Sequence, residues 1–310
     1  MAEDVSYTPE EVAKILKISR FTVYELIKRG ELTGYRVGRK VRVEASDLEI
    51  YKSKTKGNQP AVTATDRRAE ALFCTSEGLI VCGQDAILDA LTRHMEKKMP
   101  NLHFLRNYCG SLDGLGALYR GTANAVTAHL WDSDSGEYNI PYVRRMLPGH
   151  KTVIINLVYR MSGFYVAKGN PKNIRDWLDL TKSGVRFVNR ERGSGTRVLI
   201  DEKLRVLGID SRQIDSYDRE ETSHLAVASC VARSEADVGV GTEKIALQVK
   251  DIDFIPMQKE RYDLVIRKED MDKPQFRSLL DVLRSTTFRN EIAGMSGYDI
   301  SRTGEIIAEV

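Results

Sequence analysis

The sequence predicts a two-domain α/β protein in which a small helical unit precedes a larger domain of alternating strands and helices. Its 310 residues exceed the usual size of a single hydrophobic core. Residues 52–65 form a polar tract that contains Gly and Pro and has no apolar periodicity. Apolar residues recur at helical spacing before this tract, whereas strand-like and helix-like segments alternate after it. We therefore expect one domain over residues 1–53, a linker over residues 54–65 and a second domain over residues 66–310.

The composition limits the classes of function. Hydrophobic residues make up 42% and charged residues 29% of the chain, which is ordinary for a folded globular protein. No apolar run reaches the roughly 20 residues that span a bilayer, and the N-terminus lacks the basic-then-apolar order of a signal peptide. These features predict a cytoplasmic protein without a membrane partner. The four cysteines show no paired Cys or His spacing, so we expect small buried residues and no metal site.

The first unit begins with two short helices. Thr8 can cap the first helix, Pro9 fits its first position, and acidic residues follow near the positive end of the helix dipole. Ser19 is the expected cap of the second helix, and Gly30 ends it. Two short helices around a tight turn describe a helix-turn-helix.

A basic hairpin follows these helices. Residues 35–43 alternate like two short strands, and Gly38-Arg39-Lys40 forms the turn of a wing. Residues 1–57 hold 12 Lys and Arg against 9 Asp and Glu, an excess equal to the chain's net charge of +3. Such a cluster would contact phosphates or enter a groove, although a solvated hairpin on a protein-interaction module is the alternative. The DNA-contacting residues predicted here are Ser19, Arg20, Thr22, Tyr24, Lys28, Arg36, Arg39, Lys40 and Arg42.

This unit resembles a known family. The segment YTPEEVAKILKISRFTVYELIKRGELTGYRVGRKVRVEASDLEIY has the order helix, helix, basic wing, helix, and is similar to the winged helix-turn-helix of the excisionase and MerR class. The resemblance covers the whole unit and implies that the unit binds DNA.

The second domain has the rhythm of a parallel sheet with crossover helices. The predicted strands are GLIVCGQD, LHFLRNYC, ANAVTAHLWD, VRFVNR, ADVGVG and DFIPM, and the predicted helices are AILDALTRHMEKKM, GSLDGLGALYRG, GSGTRVLIDEKLRVLG and LAVASCVARS. Ligands of such sheets bind at the carboxyl ends of the strands, against helix N-termini. The sites of interest are therefore the junctions at which a strand passes into a helix.

Four such junctions supply the predicted ligand-binding residues, which are Gly83, Gln84, Asp85, Gly110, Ser111, Gly193, Ser194, Gly195, Thr196, Arg197 and His224. Gly-Ser-Gly-Thr directly before a helix offers close backbone approach, two hydroxyl donors and the positive end of a helix dipole, as an oxyanion site requires. The lysine and spacing of a P-loop are missing. Asp85 is expected to act through its N–H group or as a helix cap, because its carboxylate would repel an anion. Arg197 could pair with the anion or with Asp201 four residues on, and the anion is slightly favoured.

A second resemblance involves residues from about 72 to 300. GSLDGLGALYRGTANAVTAHLWD, GEYNIPYV, GNP, FVNRERGSGTRVLID, ADVGVG and ERYDL are together similar to the PBP-like domain, a type II periplasmic-binding-protein fold. The resemblance implies two α/β lobes that close on a small ligand, assigned in relatives to molybdate or tungstate. Arg190, Arg192 and Arg197 flank the loop, whereas secreted molybdate-selective proteins use neutral donors. Sulfate, phosphate and organic anions therefore stay open as alternatives.

The leading interpretation is a one-component transcriptional regulator that binds DNA and responds to a small oxyanion, with no other cofactor. An enzyme is disfavoured, because no nucleophile-base spacing or metal set emerges. An architectural, excisionase-type DNA-binding protein is a further alternative, although it would leave the larger domain idle. The oligomeric state is not readable, but a symmetric homodimer is the usual way in which such regulators gain affinity.

Overall fold

The computed structural model describes residues 6–28, 30–37, 40–55 and 78–310. The chain divides into two compact units, Met1–Thr65 and Asp66–Val310. No helix within the described ranges combines the length and the apolar character needed to cross a membrane.

The first unit packs three helices against a small sheet. Its helices are α1 (Pro9–Leu16), α2 (Arg20–Lys28) and α3 (Ala45–Thr55), and its strands are β1 (Ser6–Tyr7), β2 (Tyr35–Val37) and β3 (Lys40–Glu44). All pairings are antiparallel, in the order β1-β3-β2. The apolar residues that recur at helical spacing form its core, which comprises Val12, Ala13, Val23, Leu26, Leu32, Val43 and Leu48.

Local signals set the ends of these helices. The Thr8 hydroxyl accepts a hydrogen bond from the Glu11 N–H, and the Glu11 carboxylate accepts one from the Thr8 N–H at 2.7 Å. The Ser19 hydroxyl likewise accepts one from the Thr22 N–H at 3.1 Å. Gly30 follows α2 with a φ of 73°, a backbone conformation that glycine adopts without strain. Helix α3 runs to Thr55, two residues past the predicted boundary at residue 53, and residues 56–65 of the predicted linker lie outside the described ranges.

The second unit is a two-lobed α/β domain. Its strands are β4 (Gly78–Cys82), β5 (His103–Asn107), β6 (Ala125–Ala128), β7 (Thr152–Ala167), β8 (Phe187–Arg190), β9 (Glu220–Glu221), β10 (Val238–Thr242), β11 (Ile252–Arg267), β12 (Tyr298–Asp299) and β13 (Ile306–Glu309). Its α-helices are α4 (Ala86–Lys98), α5 (Ser111–Tyr119), α6 (Ile140–Met146), α7 (Gly195–Leu207), α8 (His224–Ala232), α9 (Glu243–Ala246), α10 (Pro274–Arg284) and α11 (Thr286–Ala293). Short 3₁₀ turns cover Trp177–Thr181, Ser211–Gln213 and Lys268–Asp270.

The sheet is mixed, which corrects the expectation of a parallel sheet. Strand order is β5-β4-β6-β11-β7-β10-β8-β9, with β12 and β13 also pairing with β7. Strands β4, β5 and β6 are parallel to one another, and so are β8, β9 and β10. Strands β7 and β11 instead pair antiparallel over almost their whole length. The sheet therefore consists of two parallel parts that are joined by two long antiparallel strands.

Strands β7 and β11 connect two lobes. Lobe 1 contains β4–β6, α4–α6, the first half of β7, the second half of β11 and the segment that follows it. Lobe 2 contains β8–β10, α7–α9 and the remaining halves of the two long strands. Each lobe buries apolar side chains on both faces of its part of the sheet. The carboxyl ends of the parallel strands in each lobe lie at the boundary between the lobes, where ligands of such sheets bind.

Candidate ligand-binding site and DNA-contacting surface

A small cavity lies between the two lobes. It is lined by Gly83, Gln84, Cys109, Gly110, Ser111, Thr127, His129, Arg190, Ser194, Gly195, His224 and Tyr262. Its volume is about 20 Å³, whereas a single buried water needs about 10–15 Å³. A ligand that fills this closed arrangement therefore has only a few heavy atoms.

All four predicted junctions contribute to this cavity. Gly83 and Gln84 come from the end of β4, and Ser111 begins α5. Gly195 begins α7 and His224 begins α8. The first N–H groups of a helix have no partner within that helix, and its dipole is positive at that end. Three helix starts, from both lobes, therefore present positive ends at one place.

Two glycines permit the lobes to approach closely. A Cβ atom on Gly110 would lie 2.6 Å from the carbonyl oxygen of Gly193, and that oxygen accepts a hydrogen bond from the Leu112 N–H at 3.0 Å. A Cβ atom on Gly195 would lie 2.7 Å from the imidazole of His129. Both distances are too short for a real side chain, so these positions require glycine. The lobes are in direct contact across the cavity.

The charge that reaches the cavity is positive. Arg190 is buried and lies on the cavity wall, where its guanidinium also donates to the Glu191 carboxylate at 2.7 and 2.8 Å. Among the described residues that line the cavity, none is Asp or Glu. With three helix starts at its edge, Arg190 on its wall and no acidic lining residue within the described ranges, the cavity favours an anion.

Two buried polar atoms at this place have no hydrogen-bond partner within the described part of the chain. They are Nδ1 of His224 and the hydroxyl oxygen of Thr196, which follows Gly195. Burial lowers the pKa of His224 well below 6.5, and the neighbouring Arg190, Arg160 and His129 act in the same direction. Buried polar groups are nearly always paired, so unpaired ones require an explanation such as an absent ligand.

A buried ionic network lies beside the cavity and joins the two long strands. Arg160 of β7 donates to Glu260 of β11 and to Asp85, and its guanidinium lies 4.2 Å from the centre of the Tyr262 ring. Glu260 also contacts Nδ1 of His129, which lines the cavity, at 3.2 Å. Burial opposes the ionisation of Glu260, but the charge of Arg160 and the contact with His129 lower its pKa to about 2. The cavity is therefore connected to the strands that link the lobes.

Four predicted ligand residues do not line the cavity. Asp85 caps α4 through a hydrogen bond from the Ile87 N–H at 2.9 Å, and its other carboxylate oxygen binds Arg160. Gly193 contributes the carbonyl contact between the lobes, at a φ of 91°. Thr196 is buried directly behind the lining residue Gly195.

Arg197 pairs with carboxylates, Asp201 among them, and does not line the cavity. Its guanidinium donates to Asp201 at 3.0 Å and to Glu220 at 2.8 Å, and it lies 4.7 Å from the centre of the Tyr217 ring. It faces a separate open groove of about 880 Å³ on lobe 2. Asp201 lies one helical turn from Arg197, so the helix holds its carboxylate within hydrogen-bonding distance of the guanidinium.

The predicted ligand-binding set did not include five residues that also line the cavity, which are Cys109, Thr127, His129, Arg190 and Tyr262. The Tyr262 hydroxyl donates to the Thr127 hydroxyl at 2.7 Å, and Thr127 donates to the Cys82 carbonyl at 3.2 Å. Both residues lie within strands rather than at a strand-to-helix junction. The sequence feature that could have indicated this wall is the pair of polar residues at alternate positions, Thr127 and His129, in an otherwise apolar segment.

The first unit exposes part of the predicted DNA-contacting set. Arg20, Thr22 and Tyr24 are exposed on α2, and Arg20 pairs with Glu10 at 2.7 Å. The Ser19 and Thr22 hydroxyls hydrogen-bond each other at 2.8 Å. In the wing, Lys40 is exposed and Arg42 is half-buried on β3. The backbone places Lys28 in α2 and Arg36 in β2, and Arg39 lies outside the described ranges.

Comparison with known families agrees with this two-part organisation. The helix-turn-helix domain family matches residues 6–56, and the PBP superfamily domain matches residues 92–284, more than half of the chain. The chain belongs to the PBP superfamily domain family. Because a helix-turn-helix domain precedes its PBP-like domain, the protein is a ligand-responsive DNA-binding regulator.

Two proteins are similar to this chain in sequence. The chain is 41% identical to the uncharacterized protein YvgK of Bacillus subtilis over the full length of both. It is 58% identical over 113 residues, 36% of this chain, to the whole of an uncharacterized Clostridium pasteurianum protein from the 5' region of a 2Fe-2S ferredoxin gene.

Two solved structures share the fold at low sequence identity. One is a phosphate ABC transporter substrate-binding protein with bound phosphate from Clostridium perfringens (TM-score 0.53, 15% identity, 72% of this chain and 98% of that chain). The other is the regulatory domain of MetR, a LysR family regulator from N. meningitidis (TM-score 0.50, 14% identity, 72% of this chain and 98% of that chain). The PBP-like fold is therefore shared by a transport protein and a regulator.

Proposed function

We propose that this protein is a one-component transcriptional regulator whose PBP-like domain binds a small tetrahedral oxyanion, molybdate or tungstate, and thereby changes its affinity for DNA. The observation that carries the proposal is the cavity between the lobes. It combines a few-atom volume with the starts of α5, α7 and α8 and the guanidinium of Arg190. Hydrogen bonds to a charged partner contribute about 1.5–3 kcal/mol each, so several convergent donors support specific binding.

The donor set favours an oxyanion that carries no proton. A hydrogen phosphate ion would need an acceptor for its own O–H group, and the described lining residues include no carboxylate. The carboxylates of Asp85 and Glu260, in the network beside the cavity, already accept from Arg160. Molybdate, tungstate and sulfate expose only acceptor oxygens, which match N–H and O–H donors.

Phosphate is the second candidate, favoured by one specific observation. The unpaired Nδ1 of His224 belongs to an imidazole whose pKa is lowered, so the ring is neutral at neutral pH and one of its nitrogens can accept a proton donor. The Clostridium perfringens protein of similar fold holds phosphate, but at 15% identity it supports the fold alone. An acceptor at His224 would therefore be the means by which a protonated anion is recognised.

The effect on DNA follows if the anion prefers one arrangement of the two lobes, because a ligand shifts an equilibrium only through differential affinity. The network from His129 through Glu260 to Arg160 supports such coupling, since it links the cavity wall to β7 and β11. A regulator of this kind acts in the cytoplasm, where its DNA is, and we propose that it binds a symmetric site as a homodimer.

Calorimetric titration of the full chain with molybdate, tungstate, sulfate and phosphate tests the choice of effector. We expect molybdate and tungstate to bind at least about tenfold more tightly than phosphate, a difference of roughly 1.4 kcal/mol. Phosphate binding more tightly would replace the first candidate by the second. No binding by any of the four anions would refute the oxyanion proposal and leave the regulator without an assigned effector.

The link between effector and DNA is tested separately. DNA fragments selected by the full chain from a random pool would be titrated with and without saturating molybdate. We expect a change in affinity, whereas an architectural DNA-binding protein would show the same affinity in both conditions.

A further inference from the structure

An exposed aromatic side chain lies on the second helix of the helix-turn-helix. Phe21 is the second residue of α2, and at 75% it is the most exposed large apolar residue within the described ranges. Single exposed apolar residues are common on protein surfaces and by themselves indicate nothing. The position of Phe21 on α2 and the groups around it are what indicate a role.

Phe21 occupies the middle of the face of α2 that points away from the core. Successive residues of an α-helix are rotated by about 100°, so Phe21 is turned by roughly 140–160° from Val23 and Leu26. Both of those residues belong to the buried core of the first unit. The neighbours of Phe21 on the helix surface, three and four residues on, are Tyr24 and Glu25. An aromatic ring therefore stands among polar groups on the outer face of α2.

The surroundings of Phe21 favour DNA as its partner. Ser19 caps α2 through the Thr22 N–H, so Phe21 lies in the first turn of the helix, next to the exposed Arg20. In a helix-turn-helix, residues near the N-terminus of the second helix reach base edges in the major groove. The 12 Lys and Arg against 9 Asp and Glu of residues 1–57 give this unit a net positive charge, which is complementary to DNA.

Thymine is the base that a benzyl group can distinguish in this groove. Every base pair presents hydrogen-bonding groups there, but only thymine adds an apolar group, its C5 methyl. The Phe side chain neither donates nor accepts a hydrogen bond, so it can read a base edge only through such a methyl group. The chemistry of Phe21 therefore matches one of the four bases.

We infer that Phe21 contacts the C5 methyl group of a thymine in the major groove and thereby sets part of the sequence preference of this regulator. The inference rests on the proposed function only in that the first unit binds DNA. The choice of effector plays no part in it.

The test removes the methyl group and nothing else. A duplex selected by the full chain from a random pool is prepared with each thymine in turn replaced by deoxyuridine, which keeps the base pair and the phosphates. We expect replacement at one or more positions to weaken binding by the full chain about fourfold, the effect of burying one methyl-sized group. Anisotropy titrations give the affinities, and they are run with and without saturating molybdate.

Variants of the full chain assign the effect to Phe21. Phe21→Ala should bind the thymine and deoxyuridine duplexes equally well at that position, because its ring is gone. Phe21→Leu keeps an apolar side chain and should keep part of the preference for thymine. Ile15→Ala, which truncates an exposed apolar residue of α1, is the control and should keep the whole preference. Because Phe21 is exposed, we expect all these variants to fold, which thermal unfolding checks.

Three results would overturn the inference. They are a selected duplex in which no thymine can be distinguished from deoxyuridine, a Phe21→Ala variant that keeps the preference for thymine, and a full chain that selects no sequence at all. If Phe21→Ala keeps the preference but changes the sedimentation of the free protein, Phe21 contacts a second chain instead. Affinities that molybdate leaves unchanged would count against the proposed function, while the thymine comparison would still decide the role of Phe21.

Discussion

At the scale of single residues, two buried hydroxyls carry the anion hypothesis. Ser111 lines the cavity at the start of α5, and Thr196 holds an unpaired hydroxyl at the start of α7. We expect Ser111→Ala to weaken molybdate binding about ten- to a hundred-fold, because it removes a hydrogen bond to a charged partner worth about 1.5–3 kcal/mol. Thr196→Ala should weaken it less, because Thr196 follows the lining residue Gly195 and does not itself line the cavity. Calorimetry gives the affinities. Ser211→Ala, on the far side of lobe 2, is the matched control, and equal affinities for all three variants and the unmodified chain would place the anion elsewhere.

His224 predicts how binding depends on pH. Its pKa is lowered in the free domain by burial and by Arg190, Arg160 and His129, and a bound dianion would raise it again. Anion binding then takes up a proton, so affinity should rise by up to about tenfold per unit as pH falls below the pKa that His224 has in the anion-bound domain. Without an anion, the free energy of unfolding should decrease as pH falls, because His224 binds a proton in the unfolded chain at a higher pH than in the folded domain. Calorimetry from pH 8 downward measures the slope.

Two histidine variants make this pH test specific. His224→Asn should abolish the slope, while His103→Asn, at an exposed position on β5, should keep it. An unchanged slope in His224→Asn would assign the proton to another group. If affinity instead falls with decreasing pH, His224 serves as an acceptor and the phosphate candidate gains support.

At the scale of elements, one buried ion pair, Arg160–Glu260, lies between β7 and β11. Glu260→Gln removes one of the two carboxylates that pair with the buried Arg160, and breaking such a buried pair costs about 3–5 kcal/mol. Lys259→Ala removes the adjacent exposed pair with Asp299 and should cost about 0–1 kcal/mol. Urea unfolding measures both free energies of unfolding. Equal small losses would show that the network contributes no more than a surface pair.

The wing gives the second prediction for an element. Lys40 and Arg42 lie on β3, and if they neutralise DNA phosphates, the variant Lys40→Ala/Arg42→Ala should reduce the slope of log affinity against log salt by about one to two. Lys172→Ala, an exposed lysine of the second unit, is the control and should keep the slope. Anisotropy titrations on one duplex at several salt concentrations provide the data. A slope unaffected by the double substitution would remove the wing from the interface.

The elements that sequence could predict differ physically from those it could not. Caps such as Thr8 and Ser223 act within a few residues, so the helix starts could be predicted from their own segments. Strand β7 is a largely apolar run, whereas β11 carries the polar stretch Gln258–Arg261 in its middle, and neither pattern states the partner or the direction of the strand. The sequence therefore predicted the four strand-to-helix junctions, but not the antiparallel pair β7 and β11 that brings them together. Arg197 shows the same limit, because its pairing depends on Glu220, 23 residues away.

At the scale of the whole molecule, the two units should separate on limited proteolysis. Residues 56–65 are polar and contain Gly and Pro, a composition typical of a protease-sensitive connection. We expect the first cut there, followed by a stable fragment that begins near residue 66 and binds molybdate like the full chain. Mass spectrometry of the fragment and calorimetry check both points. A first cut within residues 78–310, or a folded fragment without anion binding, would contradict the division into independent units.

The path of the chain through the two lobes has a consequence for synthesis. Lobe 2 is continuous in sequence, whereas lobe 1 is assembled from segments that precede and follow it, since β7 pairs with β11, β12 and β13. A ribosome therefore releases all of lobe 2 before the second part of lobe 1 exists, and pairing across about 100 residues is slow. The Arg160–Glu260 network, which requires both long strands, is among the last features to form. A nascent chain would acquire its sensing site late in synthesis, when the helix-turn-helix has long been available to DNA.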